Sequence, residues 1–571
     1  MARLFDEHII RSVKSLNGTW KFKTDPDDIG ISACWYQGFS DGISLTVPSV
    51  WNTEQGLLTY SGAAWYQKEF YTAGGCLRFV FEAVMTEGTV WLDGQCLGKH
   101  YGGFTGFSFI VPKVSAGKHT LTVRVDNRFD EKSIPQAKVD WYHYGGITRD
   151  VSVEQLCGIS ILSYRMEYTL QESLSEANVS FRITFYNASS SDLSTSYKIS
   201  LGENHPILCQ PITLRSGETL TVQTPEVPVN DIRLWETENP VLYPLEITTD
   251  SDDLLDRVGF RKIEIRDQKI LLNGKPIELR GVNRHEDHPD WGFAFPQKLM
   301  KKDLDLAFDL GCNTVRGSHY PNAKAFLDML DERGMLFWSE IPIWGCGFSE
   351  TTLTDPDVIA RGLTMHREMV EQYYNHPSVI IWGMHNEILT NTESALPMSQ
   401  CYYQFLKENG GNRIVTYASH KPMDDICFAY CDMISINMYY GWYYGTKDSW
   451  DQFAEQFRHR RKALGYENKP VVVSEFGAAA LYGNHTFDNV PWSEEYQADL
   501  IRHCIELFQR DPMFQGCYVW QFCDIRTAAE MGLNRARGFN NKGILNEYRK
   551  PKAAYFAVRD AFRHAAKPSK E

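Results

Sequence analysis

The chain has 571 residues, which is enough for three or four domains that each bury a core of their own. Its formal net charge of −14 at pH 7 argues against a nucleic-acid partner. The 13 cysteines include no CxxC pair, and neither a signal peptide nor an apolar run of transmembrane length is apparent. These features predict a cytoplasmic protein with reduced thiols.

The first half of the chain has only strand patterns. Between Ser15 and Gln155, alternating segments such as 77–82 and 120–125 are broken by Gly, Asp, Asn and Pro, and Asp93-Gly94 is typical of a hairpin turn. This pattern predicts a jelly-roll-like β-sandwich over residues 1–155. Strands and turns at a similar spacing predict an immunoglobulin-like sandwich over residues 156–264.

After Phe260, strand patterns alternate with helix patterns. Eight strand segments can be assigned, of which the first covers residues 277–283 and the last covers residues 516–520. Eight strand–helix units predict a (β/α)₈ barrel over residues 265–571. The fold class is therefore a multidomain protein with two β-sandwiches followed by a TIM barrel.

Two of the predicted barrel strands end in a glutamate. Glu387 follows the apolar run that starts at Val379, on strand 4, and Glu475 ends the run that starts at Val471, on strand 7. A buried charge is expensive, but this end of a barrel strand opens onto the active site. A structural salt bridge would explain either glutamate alone equally well, whereas the two together favour an acid/base and a nucleophile for glycoside hydrolysis.

The barrel motifs resemble those of glycoside hydrolase family 2. They are Gly281-Val-Asn-Arg-His-Glu286, Ser318-His-Tyr-Pro321 and Asn375-His-Pro-Ser-Val-Ile-Ile-Trp382. Within the family, Ser474-Glu-Phe-Gly477, the segment 437–443 and Asn540-Asn-Lys-Gly543 resemble the motifs of β-glucuronidases. Two departures are Ile388, where many relatives have Pro, and the short segment 346–352, which predicts that the long active-site loop of some bacterial relatives is absent.

The resemblance implies a retaining exo-β-glucuronidase with Glu475 as nucleophile and Glu387 as acid/base. Asn540 and Lys542 would hold the glucuronate carboxylate, Asn386 the 2-hydroxyl and Asp140 another hydroxyl, while Tyr439 would orient Glu475. Arg537 is preferred to Arg535 as an additional cation. The predicted substrate-binding residues are Asp140, His319, Asn386, Tyr439, Tyr443, Trp520, Arg537, Asn540 and Lys542. Without the resemblance, Asn-Asn-Lys-Gly would be interpreted as a solvated turn, and Tyr439 equally well as a packed aromatic residue.

The inferred chemistry needs no metal and no cofactor. The cluster His285-Glu286-Asp287-His288 lacks the HExxH spacing of a zinc site, although related β-galactosidases use ions. Some gut-bacterial relatives bind a flavin away from the active site, and no fingerprint in the sequence decides that question. The resemblance also implies a homo-oligomer, either a dimer or a tetramer.

Two other functions remain open. One is a β-galactosidase or a β-galacturonidase on the same scaffold. The other is a non-catalytic carbohydrate-binding protein, which the presence of both glutamates disfavours.

Overall fold

Antiparallel sheets packed face to face form the first domain of the computed structural model, which describes residues 3–202, 206–528, 531 and 535–565. Inward-facing side chains such as Trp20, Phe22 and Phe79 alternate with more exposed ones and fill the core. The strands are β1 (Val13–Ser15), β2 (Gly18–Asp25), β3 (Ile43–Val47), β4 (Ala63–Thr72), β5 (Gly75–Phe81), β6 (Val84–Met85), β7 (Glu87–Leu92), β8 (Gln95–Tyr101), β9 (Phe107–Val114), β10 (Gly117–Asp126), β11 (Gly146–Ile147) and β12 (Val151–Leu156). Their orders are β1-β12-β5-β9, β3-β2-β4-β10-β7-β8 and β11-β6.

A second, immunoglobulin-like sandwich follows directly. Its sheets have the orders β13-β14-β17, with β18 also paired to β14, and β16-β15-β19-β20. Ile161, Phe181, Ile199 and Ile247 meet in its core. The strands are β13 (Ile159–Leu170), β14 (Ala177–Asn187), β15 (Leu193–Leu201), β16 (Pro206–Leu214), β17 (Thr219–Gln223), β18 (Val227–Val229), β19 (Tyr243–Thr248) and β20 (Asp253–Val258).

Eight parallel strands close the barrel of the third domain. Strands such as Val379–Asn386 and Val471–Phe476 begin as apolar, β-branched runs, because they are buried on both faces. Before them, a small sheet of β21 (Ile263–Arg266), β22 (Lys269–Leu272) and β23 (Lys275–Pro276) packs against the first residues of the barrel strands. The barrel strands are β24 (Leu279–Arg284), β25 (Thr314–Gly317), β26 (Leu336–Glu340), β27 (Val379–Asn386), β28 (Ile414–Ser419), β29 (Ile434–Asn437), β30 (Val471–Phe476) and β31 (Phe514–Val519). After them, β32 (Ile525–Arg526) pairs with β33 (Phe539–Asn540).

The barrel helices carry clear start and stop signals. Asp355 caps the helix that begins at Pro356 by accepting from two backbone N–H groups, and Gly311, at φ 85°, ends the first helix. The helices are α1 (Gln297–Leu310), α2 (Lys324–Arg333), α3 (Glu350–Thr354), α4 (Pro356–Tyr373), α5 (Leu396–Asn409), α6 (Ser449–Ala463), α7 (Glu494–Arg510) and α8 (Ala553–Ala565). In the part of the chain that the structure describes, none of them combines the length and apolar character that crossing a membrane takes.

The fifth strand–helix unit differs from the expectation of eight complete units. Residues 420–433, all of them described, contain only the short 3-10 helix Phe428–Tyr430 between β28 and β29. This connection is short and includes Pro422, which disfavours a full helix. The barrel nevertheless closes, because β28 pairs with β29 directly.

A loop of the first sandwich crosses to the barrel and completes the domain contact. Trp141 is buried between His319, at 5.5 Å between ring centroids, and Trp344, at 6.3 Å. Tyr144 donates a hydrogen bond of 2.7 Å to Asp287. These contacts hold the neighbouring Asp140 at the carboxyl end of the barrel strands.

Candidate active site

The two predicted carboxylates lie at the same end of the barrel. Glu387 directly follows β27, and Glu475 is the penultimate residue of β30. Asn437, at the end of β29, donates to Glu387 Oε1 over 2.9 Å. Tyr439, two residues further on, donates to Glu475 Oε2 over 2.7 Å. One short segment therefore contacts both carboxylates and brings them into a single site.

Arg316 forms the floor of this site. It ends the apolar part of β25, is fully buried, and donates to Glu475 Oε1 over 2.8 Å. It also makes a two-point ion pair with Glu340 at 3.0 and 2.9 Å and donates to Asn386 Oδ1 over 2.7 Å. A planar guanidinium with five N–H donors suits this role, because it can bind several acceptors at fixed angles.

The carboxyl pair retains a proton near neutral pH. Burial and the neighbouring Glu387 carboxylate raise the pKa of Glu475 to about 8. Arg316 and Tyr439 both donate to Glu475, which favours its ionised form. Glu387 Oε1 accepts instead from the neutral amide of Asn437, so the two carboxyl groups have different hydrogen-bond partners. Two carboxyl groups with different partners in one buried site can divide the roles of nucleophile and acid between them.

Two buried polar atoms at the site lack a hydrogen-bond partner among the described residues. They are Asn386 Nδ2 and His319 Nε2. Burial and Arg316 lower the pKa of His319, and its Nδ1 lies 2.6 Å from Glu340 Oε1. The neutral ring thus carries its proton on Nδ1 and can accept from a ligand hydroxyl through Nε2. Trp520 stacks on this ring at a centroid distance of 5.1 Å and forms the adjoining wall.

The buried cation Lys542 lies at the far end of the site. Lys542 is only 3% exposed, and its ammonium lies 5.0 Å from the ring centroid of Tyr443 and 5.9 Å from that of Tyr439. Within the described ranges, no carboxylate lies within ion-pair distance of this ammonium. Asn540 is fully buried beside it and accepts from the backbone N–H of Lys542 over 3.2 Å. The pair can bind an anion that the protein itself does not supply.

Asp140 reaches this end of the site from the first sandwich. It accepts from Asn540 Nδ2 over 2.9 Å and from Arg535 Nε over 2.8 Å. Arg535 Nη2 adds a second contact at 2.5 Å, so the ion pair has two points. The structure thus joins two predicted residues, Asp140 and Asn540, through contacts between residues 400 positions apart.

The structure places Arg535 at the cluster and Arg537 outside it, which is the opposite of the preference from the sequence. Arg537 pairs with Glu547 at 3.2 Å and has a half-exposed side chain. It also has a positive φ of 61°, so that the chain turns between the two arginines. A shift of two residues in a turn reverses which side chain faces the site, and spacing in the sequence does not resolve such a shift.

The site opens into a cleft of about 240 Å³ with both aromatic and cationic walls. Lys542 and Arg535 supply the positive charge, and two tryptophans meet edge to face at 5.2 Å. The lining residues are Trp442, Tyr443, Ala479, Pro491, Trp492, Arg535, Asn540, Asn541 and Lys542.

The acidic and histidine cluster after β24 is divided among separate partners. His285 contacts the Tyr320 hydroxyl, and Glu286 accepts from Arg149 and from a backbone N–H. Asp287 accepts from Tyr144, while His288 Nδ1 accepts from the backbone N–H of Asp290. Glu286 and Asp287 therefore connect the barrel to the first sandwich, while these hydrogen bonds of His285 and His288 lie within the barrel domain.

Three important polar residues were missing from the prediction: Arg316, Glu340 and Asn437. Each lies at the carboxyl end of a buried strand, as the two glutamates do. The same signal could have identified them, since a charged or amide side chain after an apolar run in a barrel points towards the site.

Three models of glycosyl hydrolases family 2 match the chain: the sugar binding domain over residues 13–156, a second domain over residues 159–261, and the TIM barrel domain over residues 263–566. A family 2 β-galacturonidase from Eisenbergiella tayi, solved with galacturonate, is 34% identical with a TM-score of 0.91, over 99% of both chains. A β-glucuronidase from Ruminococcus gnavus, solved with uronic isofagomine, is 27% identical with a TM-score of 0.86, over 98% of this chain and 99% of that one. A β-glucuronidase from Paenibacillus borealis is 26% identical over 96% of both chains. The chain is a glycoside hydrolase and belongs to glycoside hydrolase family 2.

Proposed function

We propose that this enzyme is a retaining, exo-acting β-glucuronidase, with Glu475 as nucleophile and Glu387 as acid/base. The strongest support is the buried ammonium of Lys542, which lacks a carboxylate partner in the described residues and lies beside Asn540. A glucuronide supplies the missing counter-charge through the carboxylate on C5 of its sugar ring. A neutral hexoside would leave this buried cation unpaired, which is unfavourable.

The contacts also support the two chemical steps. The Glu475 carboxylate attacks C1 while Glu387 gives its proton to the leaving oxygen, and a covalent glycosyl-enzyme results. Glu387 then takes a proton from water, and the resulting hydroxide attacks C1 and frees Glu475. Asn386 can donate to the 2-hydroxyl through Nδ2, because Arg316 already holds its amide oxygen. Tyr439 fixes the angle of Glu475.

The contact between Asp140 and Arg535 supports action at chain ends. It joins the sandwich loop to the segment after β31 and forms one wall of the cleft beside Asn540. A wall at the end of the cleft that holds Lys542 suits a terminal sugar residue better than an internal one.

β-Galacturonide hydrolysis is the second candidate, and one observation favours it. The Eisenbergiella tayi β-galacturonidase has a higher identity and TM-score to this chain than the Ruminococcus gnavus β-glucuronidase has. A galacturonide has the same carboxylate and differs in the orientation of the 4-hydroxyl, so Lys542 serves both sugars equally. A β-galactoside has no carboxylate, which makes it the weaker match.

A substrate panel tests the proposal. The parent enzyme would be assayed with the p-nitrophenyl β-glycosides of glucuronic acid, galacturonic acid, glucose and galactose, and the product anomer followed by proton NMR. We expect the glucuronide to have the highest kcat/KM and to release the β-anomer first. A galacturonide preference would select the second candidate, a neutral-sugar preference would reject uronide hydrolysis, and an initial α-anomer would mean an inverting mechanism.

A further inference from the structure

The loop Asn540–Gly543, which carries Lys542, is anchored at every carbonyl. Asn540 O accepts from Gln521 Nε2 over 3.3 Å, and Asn541 O accepts from the backbone of Ala480 over 3.0 Å. Lys542 O accepts from the backbone N–H of Gln521 over 3.0 Å. Gly543 O accepts from Gln497 Nε2 over 3.1 Å. An ordinary solvated turn would leave such groups to water, so this loop is built to be rigid.

Gln497 ties the loop to the strand of the nucleophile. It lies on α7, is fully buried, and donates through Nε2 to Gly543 O and, over 3.3 Å, to Lys542 O. The same nitrogen donates to Ala478 O over 2.8 Å. Ala478 is three residues beyond Glu475 in the chain. One amide group therefore contacts both the backbone that follows the nucleophile and the backbone around Lys542.

A buried ion pair makes a second link between the same elements. Lys552 and Asp524 are both fully buried and lie 2.8 Å apart. Lys552 also donates to Ala480 O over 2.7 Å and to Asn541 O over 3.1 Å, which uses all three of its ammonium hydrogens. Asp524 Oδ1 accepts from the backbone N–H of Gly543 over 3.0 Å. The ammonium of Lys552 is thus paired within the protein, whereas the ammonium of Lys542 faces the site.

We propose that Gln497 and the Asp524–Lys552 pair are positioning residues that fix Lys542 at a set distance from Glu475. They determine selectivity for the uronate carboxylate without contacting the substrate. This inference rests on the proposed function, because it assigns the purpose of the anchoring to recognition of that carboxylate. A displacement of about 1 Å in a contact of this kind can cost about 100-fold in rate or affinity.

The test compares two ligands that differ only at C5. Uronic isofagomine carries a carboxylate where isofagomine carries a hydroxymethyl group, and calorimetry measures both affinities without turnover. Gln497→Met keeps the volume of the side chain and removes its three hydrogen bonds. We expect roughly 10- to 100-fold weaker binding of uronic isofagomine and a change within about threefold for isofagomine. With p-nitrophenyl β-glucuronide, the loss should appear in KM more than in kcat.

Gln509→Met is the matched control. Gln509 lies on the same helix, α7, and its side chain donates over 3.5 Å to the backbone carbonyl of Ala561 on α8, away from the loop Asn540–Gly543. We expect both affinities to stay at the parent values in this variant. Thermal unfolding of each variant shows whether the fold is intact.

Equal weakening of both ligands by Gln497→Met, or no weakening of either, would overturn the positioning role. The proposed function is judged separately, in the parent enzyme, by its preference among the p-nitrophenyl glycosides. If Gln497→Met does not fold, the double variant Asp524→Asn, Lys552→Met replaces it, because it removes the pair without leaving a buried unpaired charge. Failure of both variants to fold would assign these residues to the fold alone and overturn the proposal.

Discussion

Replacement of Lys542 by alanine is the most direct test of uronide selectivity. The side chain is 3% exposed, lies 5.0 Å from the ring centroid of Tyr443, and has its backbone fixed on both sides. A carboxylate that meets this ammonium forms a charge pair shielded from water. Truncation of one partner in such a pair costs on the order of 2–5 kcal/mol. We therefore expect kcat/KM for p-nitrophenyl β-glucuronide to fall roughly 30-fold to several-thousand-fold.

The assay measures kcat/KM for the glucuronide and for the matching glucoside in each variant. Glucoside hydrolysis should change far less in Lys542→Ala, since that sugar never contacts the ammonium. Asn540→Ala should act in the same direction by about 0.5–1.5 kcal/mol, because a neutral donor contributes less than a charged one. Lys550→Ala is the control for the loss of a lysine, since Lys550 is exposed on the segment that follows the loop.

Equal glucuronide hydrolysis by Lys542→Ala and the parent would refute this reasoning. The loop would then be a rigid turn without a role in substrate recognition. A parallel loss for glucuronide and glucoside would instead indicate that Lys542 supports the shape of the site.

Four further outcomes follow from the contacts of the site. Glu475→Ala and Glu387→Ala should each remove most activity. With a substrate that has a very good leaving group, only Glu387→Ala should form the glycosyl-enzyme, and azide should rescue this variant with retained configuration. Equal loss in both variants without rescue would contradict these roles. Because burial and Glu387 raise the pKa of Glu475 to about 8, kcat/KM should fall as the pH rises through that value and the carboxyl pair loses its last proton, since the mechanism needs one carboxyl group protonated. This basic limb should be missing in Glu387→Ala assayed with an activated substrate. Arg316→Met should lower the free energy of unfolding by about 3–5 kcal/mol in chemical denaturation, because the buried carboxylates of Glu340 and Glu475 lose their partner. Adding Glu340→Gln to this variant should recover part of the loss. Dialysis against EDTA should leave the activity unchanged, and a strong loss would show that a divalent ion takes part.

The barrel was predictable from the sequence because its strands are buried on both faces. Such strands appear as short β-branched runs between helix patterns, and Val379–Asn386 and Val471–Phe476 are clear examples. The position of Glu387 and Glu475 followed from the same pattern, since a carboxylate at the end of such a run has no packing explanation. Lys542 and Asn540 required the family resemblance, because Asn-Asn-Lys-Gly has the composition of any polar turn.

Pairings across long separations were not predictable in this way. The contact between Asp140 and Arg535 joins the first sandwich to a turn after the last barrel strand, whereas the sequence analysis preferred Arg537 as the additional cation. The chain has a positive φ at Arg537, between Arg535 and β33, and a single sequence does not reveal that backbone angle. The contacts of Arg316 with five side chains likewise depend on the closure of the barrel.

The charge balance of the site indicates why the sandwich loop contributes to a barrel active site. Arg535 and Lys542 both line the cleft, and their two positive charges without a neighbouring acid would attract a dianion or any acidic surface. Asp140 forms a two-point pair with Arg535, so that Lys542 provides the remaining positive charge. Arg535, Asp140 and Lys542 together carry one net positive charge, which matches the single carboxylate of a uronide. On the proposed function, the barrel supplies the chemistry and the cation, while the sandwich sets the net charge that the substrate meets.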